Sequence, residues 1–266
     1  MFITRLISGI LLVALALFFI ISGGYLLFAV MLTLSLIGMF ELYRVFNIEK
    51  GLPGILGYIS CVAYYLNLRL GFCSDTMVIM LAFLTLLLAT FVFTYPKYHA
   101  NQIMAAFFGL FYVGVMLSFL YQTRMLPHGQ FIVWLIFLCS WGSDTSAYCV
   151  GVLFGKHKMS PILSPKKSVE GAIGGVVGAM LFTGLYSFLI SSVFNVEGIM
   201  ILPLVIFAGI GALISMVGDL AASAIKRNFE IKDYGKLIPG HGGILDRFDS
   251  VIITAPIIYF LAYYIY

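Results

Sequence analysis

Charge is what this 266-residue chain has least of: 10% of its residues are Asp, Glu, Lys or Arg, while 62% are apolar. A soluble domain runs at about 25% charged and 45–50% apolar, so a mean hydropathy of +1.08 excludes a soluble protein and leaves an integral membrane one. Histidine is sparse too, with four in the chain, which argues against a zinc site. The four cysteines, Cys61, Cys73, Cys139 and Cys149, stand in or beside apolar runs without the paired spacing of metal or redox motifs, and read as packing residues. No Pro-rich, Ser-rich or single-charge linker divides the sequence, which reads as a single transmembrane domain over 1–266. Neither half repeats the other, as the halves of many secondary transporters do.

Apolar runs are what it has in abundance. Nine recur, at approximately 6–21, 25–43, 52–70, 76–95, 103–121, 130–154, 171–194, 200–222 and 250–266. A helix of roughly 17–25 such residues crosses a hydrocarbon core of about 30 Å. The expected fold is therefore all-α and polytopic, with about nine transmembrane helices. Lysine and arginine orient it. With the N-terminus in the cytoplasm, Arg5, Arg44, Lys50, Lys97, Lys156, Lys158, Lys166, Lys167, Lys226, Arg227, Lys232, Lys236 and Arg247 lie inside, and Arg69 and Arg124 outside. That asymmetry satisfies the positive-inside rule, and an odd number of spans puts the C-terminus outside. Arg5 before a run ending at Ser22, Gly23 and Gly24 also fits a cleaved leader, which would leave the orientation of the rest unchanged.

The scarce charge is gathered. Residues 218–249 hold five of the eleven acids and five of the fifteen bases. Within them Asp219, Ser223 and Lys226 are spaced i, i+4 and i+7, with Arg227 beside them, so a continuing helix carries them on one face. A carboxylate, a hydroxyl and a cation on one stripe suit a divalent metal and a phosphate; the plainer alternative is a solvated helix end. Pro239, Gly240, His241, Gly242 and Gly243 form a turn-rich entry to the last span, where Asp246 and Asp249 share a face with Arg247 between them.

Two further polar islands interrupt the apolar runs. Asp144, flanked by Ser143, Thr145 and Ser146, lies inside the sixth run, where an ionisable group costs at least about 2.5–3.5 kcal/mol. A polar cavity or a metal would accommodate it, as would a structural hydrogen bond to a neighbouring helix. In Ser164–Gly171, Pro165 discourages helix and Ser168 is placed to cap the next one. A helix N-terminus flanked by Lys166 and Lys167 attracts anions. Beyond it, Gly171, Gly175 and Ala179 form a small-residue stripe with Gly174 and Gly178 alongside, as close helix packing requires. If Asp144, Asp219 and Asp246 converge on a hard cation, and Lys166, Lys167, Lys226 and Arg247 face phosphates, the chemistry is phosphoryl or nucleotidyl transfer. Magnesium suits it, because that ion takes a few carboxylates together with substrate phosphates.

The run SAIKRNFEIKDYGKLIPGHGGILDRFD, from Ser223 to Asp249, closely resembles the signature of the phosphatidate cytidylyltransferases, or CDP-diacylglycerol synthases. SPKKSVEG, from Ser164 to Gly171, and SDTSAY, from Ser143 to Tyr148, are similar to that family's other polar motifs. The N-terminal half carries little of the signature, so roughly 1–128 is expected to be mainly structural and roughly 129–266 to hold the site. The resemblance implies a multi-pass enzyme of the bacterial cytoplasmic (inner) membrane, acting as a homodimer with its site facing the cytoplasm and having no nucleic-acid partner. Its reaction makes CDP-diacylglycerol and pyrophosphate from CTP and phosphatidate.

On that reading Asp219 and Asp246 bind Mg2+, or Mn2+ in its place, and Asp144 holds a second cation or orients a metal-bound water. Asp249 supports them from behind. Lys166, Lys167, Lys226, Arg227 and Arg247 neutralise triphosphate or lipid phosphate, while Ser223, His241 and the backbone of Gly242 and Gly243 contact substrate. Asp219, Asp246, Lys226 and Lys167 are the catalytic candidates. Two alternatives stand beside this: a CTP-dependent kinase of a lipid alcohol, and an ion or solute transporter that uses buried acids as a coupling site.

Overall fold

A backbone surrounded by hydrocarbon must satisfy its polar groups within its own segment, and helix does this. Each of the nine apolar intervals is accordingly helical in the computed structural model, which describes residues 2–193 and 200–265 and the side chains from Ile7 onward. The Arg5 side chain, the end of the seventh interval at Phe194 and the end of the ninth at Tyr266 lie outside the described residues. The helices are α1 (Phe2–Ser22), α2 (Gly24–Val45), α3 (Leu52–Leu70), α4 (Thr76–Phe93), α5 (Ala100–Gly109), α6 (Met116–Met125), α7 (Gly129–Phe137), α8 (Ser143–Phe154), α9 (Val169–Val193), α10 (Ile201–Asn228) and α11 (Leu245–Tyr263). Wider π-helical turns, Leu110–Val115 and Leu138–Gly142, join α5 to α6 and α7 to α8.

Five stretches among the described residues are both long and apolar enough to cross a membrane: Gly24–Val45, Thr76–Phe93, Ala100–Met125, Val169–Val193 and Ile201–Asn228. On α4 only Phe83, Leu87 and Thr90 are buried, and Leu81, Leu84, Leu88 and Val92 face outward. So much outward apolar surface fits a multi-pass membrane protein.

Helix ends follow local chemistry. Asp75 caps α4 by accepting from the Met77 amide at 2.9 Å. Gly71, at φ 63°, closes α3 in the left-handed conformation. Two boundaries move furthest from the sequence expectation. The eighth helix continues six residues past 222 to Asn228, and the last begins at Leu245 rather than 250. A small antiparallel hairpin of β1 (Lys158–Ser160) and β2 (Ser164–Ser168) departs from the all-α expectation; it occupies a polar segment that is free to pair with itself.

The chain packs as two units, Met1–Tyr121 with Asp233–Arg247, and Gln122–Lys232 with Phe248–Tyr266. In the first, the buried phenol of Tyr43 donates to the Ala106 carbonyl at 2.6 Å, and Gly57 and Gly109 leave room for its ring. Tyr65 shares a 2.8 Å hydrogen bond with Ser35, and Tyr64 a 3.0 Å bond with Ser118. These buried hydroxyls thus find partners, as an apolar interior favours.

In the second unit the small-residue stripe of α9 meets α8. Gly171 faces Ala147 and Gly151, Gly174 faces Val150, and Gly178 faces Ser146, each closely enough that an added Cβ would collide. The packing expectation for these glycines therefore holds. Gly178→Val should destabilise by about 1–3 kcal/mol through overpacking, read as a lower thermal midpoint in detergent; an unchanged midpoint would contradict this contact. Cys61 and Cys139 are buried as expected, whereas Cys149 is exposed on α8 and does not pack.

Candidate functional site

In the second unit α8, the hairpin, α9 and α10 surround a cavity of about 610 Å³. Its charged and polar walls include Asp144, Tyr148, Lys158, Lys166, Lys167 and Asp219. Each arrives there for a local reason. The π turn Leu138–Gly142 ends two residues before Asp144, and such turns are frequent at functional sites. Thr145 and Ser146, which flank that acid in sequence, donate to the Trp141 and Gly142 carbonyls of their own helix at 2.8 and 2.9 Å. The polar environment of Asp144 is the cavity itself.

Lys166 and Lys167 ride on β2, which passes into α9 at Ser168. Its hydroxyl accepts from the Gly171 amide at 3.1 Å, the cap expected from the sequence. Glu170 fastens the start of β1 at that same end of the hairpin: its carboxylate accepts from the Lys156 amide at 3.1 Å and pairs with His157 Nδ1 at 2.6 Å. Lys167 forms an ion pair with Asp219 of α10.

Because α10 remains helical through Asn228, Asp219, Ser223 and Lys226 do share a stripe, with Arg227 exposed beside them. Ser223, Lys226 and Arg227 lie outside the cavity walls. Asp249 of α11 is buried, accepts from the Ser250 amide at 2.8 Å, and feels the charges of Asp219, Lys226 and Asp144. The second unit thus brings together Asp144, Lys166, Lys167 and Asp219 around one space, with Lys226 and Asp249 in electrostatic range.

The first unit contains the glycine-rich loop. Ile238 and Gly242 pair across a tight turn carrying Pro239, Gly240 and His241, with Gly240 at φ 78° and Gly242 at φ 85°. Asp246 is buried at 5% exposure, and its Oδ2 accepts from the Tyr234 amide at 2.8 Å and the Gly243 amide at 2.9 Å. The Gly243 N–H, expected to reach substrate, is therefore engaged by Asp246. His241, another expected substrate contact, has Nδ1 2.8 Å from the Ser8 hydroxyl of α1. Arg247 stands beside Asp246 on the first turn of α11.

Sequence reasoning missed the partners of this loop on α2. Glu41 is buried and accepts from the Ile244 and Leu245 amides at 3.1 and 2.8 Å, and Arg44 donates to the Tyr234 carbonyl. The available signal was an acid inside the second apolar run, the same argument that singled out Asp144.

The resemblance implies magnesium, and the donors present bear on how it would be held. Among the described residues no three carboxylate, histidine or cysteine side chains form a preassembled metal group. The oxygen donors Asp144 and Asp219, lining one cavity with lysines, fit an ion held by one or two carboxylates and substrate phosphates.

Acids, lysines and a glycine-rich loop set on apolar helices define a class of membrane-type protein equipped for phosphorylated ligands. The comparisons narrow that class. Residues 3–265 match the model of the cytidylyltransferase family. The phosphatidate cytidylyltransferase of Bacillus subtilis is 30% identical over 97% of this chain and 96% of its own. Those of Staphylococcus saprophyticus and Staphylococcus aureus are 31% and 33% identical, each over 90% of both chains. The chain belongs to the cytidylyltransferase family, and is a nucleotidyltransferase.

Proposed function

We propose that this protein transfers CMP from CTP to phosphatidate, giving CDP-diacylglycerol and pyrophosphate for phospholipid synthesis. The observation that carries the reading is the match to phosphatidate cytidylyltransferases over 90–97% of the chain. The charged cavity of the second unit supports it, because both substrates are polyanions. The setting is the cytoplasmic membrane of a bacterium, with nine spans, the N-terminus and the site on the cytoplasmic side, and the chain acting as a homodimer.

A phosphate monoester has its second pKa near 6 and is largely ionised at neutral pH, so the phosphatidate oxygen needs no strong base to attack the CTP α-phosphorus. The residues' task is positioning and charge neutralisation. Lys167 ends the hairpin with its ammonium on Asp219; as the triphosphate enters, that ammonium turns to phosphate and releases the carboxylate. Lys166, Lys226, Arg227 and Arg247 supply further positive charge for the triphosphate and the lipid headgroup. Asp219 would hold magnesium and Asp144 a second cation or its water; Asp246 of the first unit is likewise assigned to metal binding, and Asp249 to holding the charge balance around Asp219. When bound, the metal stabilises charge developing on the attacking and leaving oxygens.

The test is pyrophosphate release by purified protein in mixed micelles with Mg2+, CTP and phosphatidate, each omitted in turn, with products identified by mass. Release that requires all three and yields CDP-diacylglycerol is the expected result. CDP released from CTP as a lipid alcohol is phosphorylated, without pyrophosphate, would replace this function with a lipid kinase, and solute flux across sealed vesicles without nucleotide consumption with a transporter.

A further inference from the structure

A carboxylate buried near the end of an apolar helix is costly unless it is fully hydrogen-bonded. Glu41, 4% exposed on α2, has both oxygens engaged: Oε1 by the Ile244 amide at 3.1 Å and Oε2 by the Leu245 amide at 2.8 Å. Those N–H groups open α11, where unsatisfied amides and the helix dipole favour an anion. The same carboxylate fills the space beside Gly235 and Gly243, where a Cβ on either would fall on it. One turn along α2, Arg44 holds the carbonyl of Tyr234, and Asp246 accepts from the amide of that same residue at 2.8 Å and from Gly243 at 2.9 Å. Glu41 therefore holds the main chain between Gly243 and Asp246 and packs against Gly235, next to Tyr234, from a point 203 residues away in sequence.

We propose that Glu41 is a positioning residue for cytidylyl transfer: its two amide bonds fix the start of α11 and so the direction of the Asp246 carboxylate. This rests on the role assigned to Asp246 above. A simple helix cap would affect stability alone. A positioning residue must also affect turnover, because small displacements at a reacting centre reduce rate steeply.

Glu41→Gln preserves volume but offers one acceptor oxygen and turns an NH2 donor toward a backbone N–H. Three quantities would be read on the full-length protein in mixed micelles: thermal midpoint, amide hydrogen exchange by peptide, and pyrophosphate release with Mg2+, CTP and phosphatidate. In Glu41→Gln, exchange in 233–247 should rise about tenfold or more while that of 76–93 is unchanged. Turnover should fall about 10- to 100-fold, as for other residues that orient a metal-binding group, with KM for phosphatidate within about twofold. Glu41→Asp should fall between this variant and the parent. Gly235→Ala, whose methyl would fall on that carboxylate beside the Gly243 backbone, should reproduce the turnover loss should Glu41→Gln fail to fold.

Turnover within about twofold of the parent in the folded variants, or exchange raised throughout the chain, would overturn the proposal. Asp246→Asn run in parallel separates the two ideas. Full activity there removes the assigned role of Asp246, whereas loss there with full activity in Glu41→Gln removes only the positioning by Glu41.

Discussion

Asp219→Asn should lower pyrophosphate release by at least about 10²- to 10³-fold, the loss expected when a group that stabilises transition-state charge is neutralised. The fold should survive. Asp219 is partly exposed beside Lys167, and ion pairs with access to solvent contribute on the order of 1 kcal/mol or less. The thermal midpoint should therefore move by only a few degrees. Lys167→Ala breaks the same pair from the other side and provides the comparison. If the pair were only a structural tie, both variants would lose the same small stability and neither would lose much activity. If each partner has its own task, Asp219→Asn should lose turnover and Lys167→Ala should chiefly raise KM for CTP, since the lysine meets phosphate. Initial rates across CTP concentrations distinguish these outcomes, and full activity in Asp219→Asn would remove that acid from the chemistry.

How much of this was readable in the sequence depended on the distance over which each feature is determined. Helix placement follows from runs of apolar residues, and the cap at Ser168 from a residue three positions from its partner, so both were legible. The close packing of Gly174 and Gly178 followed from small residues at helical spacing. Asp144 and Asp219 stood out because charge inside an apolar run is expensive. The π turn before Asp144 was not legible, since it leaves no local composition signal. Nor was the hairpin, whose pairing of Lys158 with Ser168 depends on main-chain bonds that many short polar segments could form.

The loop before α11 shows the limit most clearly. Its glycines could be read as donors to an anion, but whether an amide faces substrate or a side chain is decided by tertiary contacts. Here the Gly243 amide turns to Asp246, and Glu41 takes the next two. An acid near the end of α2 with Arg44 three residues on reads equally well as a solvated interface pair, so the sequence alone did not single it out. The N-terminal helices, expected to be mainly structural, supply Ser8, Glu41 and Arg44 to the loop's backbone and to His241.

That bonding makes Asp246 the site where charge and geometry can be separated by mutation. In Asp246→Asn the side-chain oxygen can still accept from Tyr234 and Gly243, so the loop should keep its shape while the negative charge is lost. In Asp246→Ala both amides lose their acceptor in a buried place, at about 1–3 kcal/mol for each group left unsatisfied. The two variants should therefore agree in activity and differ in stability: both fall by about 100-fold or more in pyrophosphate release, and Ala alone loses protection from hydrogen exchange across 233–247. Were Asp246 only a loop-fastening residue, Asn would remain active and Ala alone would fail. The wall formed by Gly242, whose added Cβ would stand 2.8 Å from Asp246 Oδ2, sharpens the contrast. Gly242→Ala leaves every charge in place and presses on that oxygen in a backbone conformation unfavourable to any side chain. It should lose activity through geometry alone, and in that variant added magnesium should not restore the rate.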